Sequence, residues 1–163
     1  PSPEVRFAAL CHDLGKGTPP SSILPSHHGH EERGVVLLDT LCARLRVPKR
    51  FCELARITAR YHGKVHKVDE LRAATIHDLF EGVDLFRRPE RFEAMLLACE
   101  ADFRGRTGYA ERPYPQADRL RQFAQAARAV DAGALARECR DRSKIPMRLR
   151  AARIRAIRAA REK

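Results

Sequence analysis

Apolar residues in this chain recur at intervals of three and four, and nowhere do they alternate with polar ones for more than a few positions. That spacing places them on one face of a 3.6-residue helix and denies every segment the two-residue period of a half-buried strand. The expected fold class is therefore all-α. Val5 to Leu14 reads as a first helix ended by Gly15 and Gly17, followed by a proline- and serine-rich loop from Thr18 to Pro25. Val35, Leu38, Leu41, Cys42 and Leu45 mark the buried stripe of a helix from about His28 to Leu45. Phe51, Leu54, Ala55, Thr58 and Tyr61 mark the next, with Pro48 in its first turn and Gly63 closing it. Asp69 is read as the N-cap of a helix to about Gly82, and Pro89 as the start of one holding Phe92, Met95, Leu96, Cys99 and Phe103. A loop from Arg104 to Pro115, a helix from about Gln116 to Val130 and a basic tract from Pro146 to Lys163 complete the chain. With 163 residues, 44% of them apolar, one core is expected, burying roughly two-thirds of the unfolded surface. No run approaches the ~18 apolar residues of a membrane span, and no secretory signal, internal repeat, Gly-rich phosphate loop or Gly-x-Ser-x-Gly elbow is present.

Chemistry begins where the apolar run Phe7 to Cys11 stops, at His12, Asp13, Gly15 and Lys16. Adjacent helical residues point about 100° apart, so a long imidazole and a short carboxylate can reach one cation lying between those directions. Gly15, tolerant of positive φ, is expected to turn the backbone and leave Lys16 free to offer a point charge to a phosphate. Downstream, His30 opens His-Glu-Glu-Arg-Gly34, His62 ends the run Ala59-Arg-Tyr-His, and Asp102 lies in Leu97-Ala-Cys-Glu-Ala-Asp-Phe-Arg-Gly-Arg106. Arg104 and Arg106 follow Asp102 closely enough to clamp a phosphate or an RNA backbone. His27 and His28 are neighbours of His30 that could stand in for it, whereas His66 and His77 carry no motif and read as surface or capping residues.

This ordered series resembles the HD phosphohydrolase superfamily. More narrowly, Cys11-His-Asp-Leu-Gly-Lys-Gly17, His27-His-Gly-His30 and Glu100-Ala-Asp-Phe-Arg-Gly-Arg-Thr-Gly108 resemble the HD domains of bacterial multifunctional CCA-adding enzymes, which are tRNA nucleotidyltransferases. The likeness runs from Val5 to about Arg128, and its motifs are specific in combination rather than singly. It implies an HD-domain helical bundle that hydrolyses 2′,3′-cyclic phosphates, 2′-nucleotides and phosphomonoesters. It implies a divalent metal, with Ni²⁺, Mn²⁺ and Mg²⁺ all open, held by His12, Asp13 and Asp102. A further histidine from a preceding helix completes that shell in the family. Asp13, Lys16, His30 and His62 are expected to act on the substrate, and Lys16, Arg104 and Arg106 to bind phosphate or nucleic acid. The chain opens Pro-Ser-Pro without methionine and so reads as a piece of a longer protein. Nucleotide addition is then expected from an N-terminal nucleotidyltransferase region, a partner within the same chain.

Net charge is +11, and 137–163 holds eleven Arg or Lys against three Asp or Glu, a net of +8. Such a tract suits a polyanion, and tRNA is the expected partner. Leu149, Ile154 and Ile157 equally suit an amphipathic helix pinned to the body, and a helix doing both is the favoured reading. The domain division expected is a phosphohydrolase core over 1–130 and a basic helical extension over 131–163 packed on it. A homodimer is left open; a membrane is not expected. The rival class is a non-catalytic tRNA-binding or dimerisation module with an incomplete metal site. Five scattered cysteines with no Cys-x-x-Cys pair read as reduced core thiols of a cytoplasmic protein.

Overall fold

The computed structural model describes residues 2–18, 22 and 27–162. Among them eight α-helices follow one another and no strand occurs: α1 (Pro3–Cys11), α2 (His30–Arg44), α3 (Lys49–His66), α4 (Ala73–Gly82), α5 (Pro89–Arg104), α6 (Pro115–Arg128), α7 (Ala132–Glu138) and α8 (Ile145–Arg161). Proline sits in the first turn of α1, α5, α6 and α8, where its missing N–H removes a donor that the helix could not have satisfied. Ser2 caps α1 through the N–H of Val5, and Asp131 caps α7 through that of Ala134.

Helix α3 is central, packing against α1, α2 and α5, while α1 also packs against α5. The stripes meet in one core that includes Leu38, Leu54, Ala55, Phe80, Phe92, Met95 and Leu96, continuous with Leu120, Phe123 and Ile157 of the later helices. All five cysteines are unpaired and buried. Helix α8 lies on α4 and α6 and α7 packs on α8, with Ile157 fully buried and Leu149 and Ile154 partly so.

Several boundaries differ from the sequence reading, each for a physical reason. The first helix stops at Cys11, so His12 and Asp13 lie on a turn that leads into a short 3-10 helix, Leu14–Gly17. Leu45 is exposed because the chain leaves α2 there and turns at Arg46, which has φ 50°. Gly63 does not close α3; packing on both sides carries the helix on to His66, outweighing the ~1 kcal/mol that one interior glycine costs. Asp69 caps nothing but belongs to a 3-10 turn, Val68–Glu70, and α4 begins at Ala73. Helix α7 had no counterpart among the expected elements. His77 is not a surface residue: it is fully buried on α4, near the Phe86 ring that Arg153 of α8 covers at 3.5 Å. The loop expected over Thr18 to Pro25 falls almost wholly outside the described residues.

Gly15 is required for a reason other than the one the sequence suggested. Its φ is not positive. A Cβ at this position would lie 2.0 Å from the carbonyl oxygen of His30 and 2.6 Å from the N of Gly34, so the first turn of α2 passes directly over the glycine. This close approach sets α2 against the His-Asp turn. Gly15→Ala should destabilise the fold by about 1–3 kcal/mol or more, since backbone cannot yield as a side-chain tip can. Gly17→Ala, whose Cβ would meet nothing within 4 Å, should stay within about 0.5 kcal/mol of the parent. Urea denaturation of the pair checks both expectations.

Candidate metal centre

Four elements converge on Asp13. The turn after α1 supplies His12 and Asp13, the following 3-10 helix Lys16, the first residue of α2 His30, and the last turns of α3 His62. Asp102 and His66 come from the ends of α5 and α3 on the far side of His12.

Three imidazoles are held in the same sense. Nδ1 of His12 is 2.7 Å from the carbonyl of Ala9, Nδ1 of His30 is 3.0 Å from that of His27, and Nδ1 of His62 is 3.0 Å from that of Ala59. A carbonyl only accepts, so each Nδ1 carries the proton and each Nε2 is turned inward. His12 Nε2 lies 3.1 Å from Asp13 Oδ2, while His62 Nε2 and His30 Nε2 lie 3.4 and 3.5 Å from Oδ1. The Nε2 atoms of His30 and His62 are 3.2 Å apart. His30, rather than His27 or His28, is thus the residue of its cluster that reaches the centre.

Charge explains what such an arrangement demands. His12 Nε2 and Asp13 Oδ1 are buried without a hydrogen-bond partner. Nitrogen and oxygen lone pairs facing one another are stable only around positive charge, either a proton on nitrogen or a cation between the ligands. Burial disfavours the His12 imidazolium, yet Asp102 and Asp13 outweigh it and lift its pKa to about 10. Burial likewise opposes ionisation of Asp13 and Asp102. His12, His62 and Lys16 overcome it at Asp13, and His12 and His66 at Asp102, holding both carboxyls well below the usual range. Ligand atoms of His12, Asp13 and His62 all lie within 4.8 Å of one another, a mixed imidazole and carboxylate set that suits a divalent transition ion. The residues present therefore fit a metal, which would take the position the His12 proton otherwise fills.

The remaining expected residues are distributed unevenly. Asp102 Oδ1 is 3.2 Å from His12 Nε2. Lys16 Nζ is 2.6 Å from Asp13 Oδ2, so its charge lies at the edge of the centre, paired rather than free. Arg106 reaches Asp102 Oδ2 at 3.4 Å. Arg104 instead binds Glu100 and the carbonyl of Ala110. Two residues were missed: His66, 2.8 Å from Asp102 Oδ2, and Tyr114, whose hydroxyl is 2.8 Å from His66 Nδ1. The signal for His66 was its four-residue spacing from His62 on one helix face, hidden by reading Gly63 as a stop.

The His12 shift has a testable sign. Its folded pKa of about 10 exceeds the ordinary 6.5, so its stabilisation is fully present below pH 6.5 and is lost as pH rises through about 10. Metal-free protein should lose stability across that window in denaturant titrations. His12→Asn should flatten that part of the profile.

The HD domain family matches residues 2–70. The chain is 58% identical over 146 residues to the multifunctional CCA protein of Nitrosospira multiformis, covering 90% of this chain and 35% of the relative. It is 54% identical over 153 residues to that of Thioalkalivibrio sulfidiphilus, covering 94% and 37%, and 54% identical over 154 residues to that of Cupriavidus metallidurans, again covering 94% and 37%. The chain thus spans little more than a third of the length of the curated relatives it matches. No solved structure matches it significantly. The helical fold and these similarities make residues 2–70 an HD domain, in a chain that is similar to the HD-containing part of multifunctional CCA proteins.

Proposed function

We propose that this domain is a metal-dependent phosphohydrolase acting on 2′,3′-cyclic phosphates, 2′-nucleotides and phosphomonoesters, as part of a tRNA CCA-adding enzyme. The observation that carries this reading is the convergence of three carbonyl-anchored imidazoles on Asp13, with His12 Nε2 and Asp13 Oδ1 buried and lacking hydrogen-bond partners. An HD domain implies a divalent metal. His12, Asp13 and Asp102 would hold it, with His62 within reach of the same point. When bound, it supplies Lewis acidity toward a phosphoryl group and toward water. The chain's own groups do the rest. Lys16 places a cation where phosphoryl oxygens would approach Asp13, and Arg106 adds a second beside Asp102. His30 and His62, whose Nε2 atoms lie 3.2 Å apart, are placed to relay a proton to a departing alkoxide.

The rival reading, a tRNA-binding module, has a specific observation in its favour. The arginines of α8 divide by face. Arg150 pairs with Asp78, Arg153 covers Phe86, and Arg161 binds the backbone carbonyls of Leu71 and Asp69. Arg148, Arg155 and Arg158 are exposed on the other side, Arg148 beside Cys139 and Glu138, and among the described residues none of the three forms a salt bridge. We therefore read 1–130 as the hydrolytic core and 131–163 as an extension that packs on it while offering an RNA backbone a row of cations.

Two expectations test the two parts. Asp13→Asn should lower Mn²⁺ or Ni²⁺ affinity by more than the 10–100-fold typical of a lost supporting contact, and abolish hydrolysis of a 2′,3′-cyclic nucleotide, with helical circular dichroism unchanged. Undiminished hydrolysis would exclude Asp13 from the chemistry. For RNA, deleting α8 would bare α4 and α6, because Ile157 and Ala160 are buried. Replacing Arg148, Arg155 and Arg158 together with alanine avoids that. It should weaken tRNA binding and reduce the slope of log affinity against log salt by about 3, leaving small-substrate turnover unaltered. An unchanged slope would show that this face is merely solvated.

A further inference from the structure

Of the four histidines at the centre, one is held the other way round. His12, His30 and His62 donate through Nδ1 to backbone carbonyls and direct Nε2 inward. His66 directs Nε2 at a carboxylate oxygen, Asp102 Oδ2, at 2.8 Å, and receives the Tyr114 hydroxyl at Nδ1, also at 2.8 Å. A carboxylate only accepts, so the proton sits on His66 Nε2. The vacant Nδ1 lone pair is then met by the phenolic O–H. The order is Tyr114 O–H to His66 Nδ1, then His66 Nε2–H to Asp102 Oδ2, leaving Oδ1 to face His12 Nε2 at 3.2 Å.

We propose that Tyr114 and His66 are positioning residues that fix which oxygen of Asp102 points into the metal centre. This inference rests on the reading of His12, Asp13 and Asp102 as metal-holding residues. Packing shows why the contact is firm. Tyr114 is the residue before Pro115 at the start of α6, it is buried, and its ring lies 5.0 Å from that of Phe103, the neighbour of Asp102 on α5. His66 rests 5.7 Å from the Tyr114 ring and 6.1 Å from that of His62. The triad therefore ties together the end of α3, the end of α5 and the start of α6. A carboxylate left to rotate would present either oxygen; hydrogen bonds to ligating carboxylates remove that freedom.

The test needs a readout apart from turnover. In metal-free protein, long-range proton–nitrogen correlation spectra should show His66 as the Nε2–H form, and Tyr114→Phe should move its Nδ1 resonance. An Nδ1–H form overturns the proposal. In Mn²⁺ titration calorimetry, His66→Ala and Tyr114→Phe should each weaken binding about 10–100-fold, with His66→Gln, which retains a donor and an acceptor, recovering part of the loss. The His66→Ala effect should disappear in an Asp102→Asn background, because the two act as one unit. Parent-like affinity in both single variants, or an effect that persists without Asp102, refutes the positioning role. Parent protein that binds Mn²⁺ in this Tyr114-dependent way yet hydrolyses no phosphoester would instead sink the phosphohydrolase reading and leave the positioning role standing.

Discussion

The centre depends on how closely α2 passes over Gly15. A backbone carbonyl, that of His30, occupies the space where any other residue would carry its Cβ, and Gly34 one turn later lies against the same glycine. That contact places His30 at the start of α2 within 3.5 Å of Asp13 and brings it against His62 from α3. Were α2 held farther off by even one methyl group, the facing Nε2 atoms would separate and Asp13 would lose part of its surrounding charge. Close packing of backbone on backbone here defines the geometry of a polar site, a task that side-chain packing alone performs less rigidly.

Asp13 then organises the charge. Its two oxygens are approached by His12, Lys16, His30 and His62, and His12, His62 and Lys16 keep the carboxylate ionised in spite of burial. His12 mediates between Asp13 and Asp102, so a single imidazole nitrogen is shared by two anions. Low dielectric makes such a cluster costly unless positive charge occupies its middle. A proton does so in the metal-free state, and a divalent ion would do so more completely.

Around this centre the molecule separates rigid support from surface. Helices α1, α3 and α5 pack on one another and carry the site residues on their ends, where side chains can be exposed on one side and anchored on the other. Helix α8 lies on α4 and α6, remote from Asp13 in the chain's packing, and uses one set of arginines to attach itself and leaves another exposed. The domain thereby presents a polar centre of histidines and carboxylates and a separate cationic helix face.

Much of this was legible in the residues themselves. The three- and four-residue spacing of apolar side chains determined an all-helical fold, because burial of one face is a local property of sequence. The order of His-Asp, His30, His62 and the Asp102 segment carried the resemblance to HD domains, and the structure brings those residues together. Tertiary structure decided what lay between elements. That Gly15 serves a close approach rather than a positive φ depends on α2 passing above it. That α3 continues through Gly63 depends on neighbours that outweigh a weak local preference. The contacts of His66 with Asp102 and Tyr114 span 36 and 48 residues of chain, and no periodicity or motif encodes a hydrogen bond formed only when three helix ends are packed together.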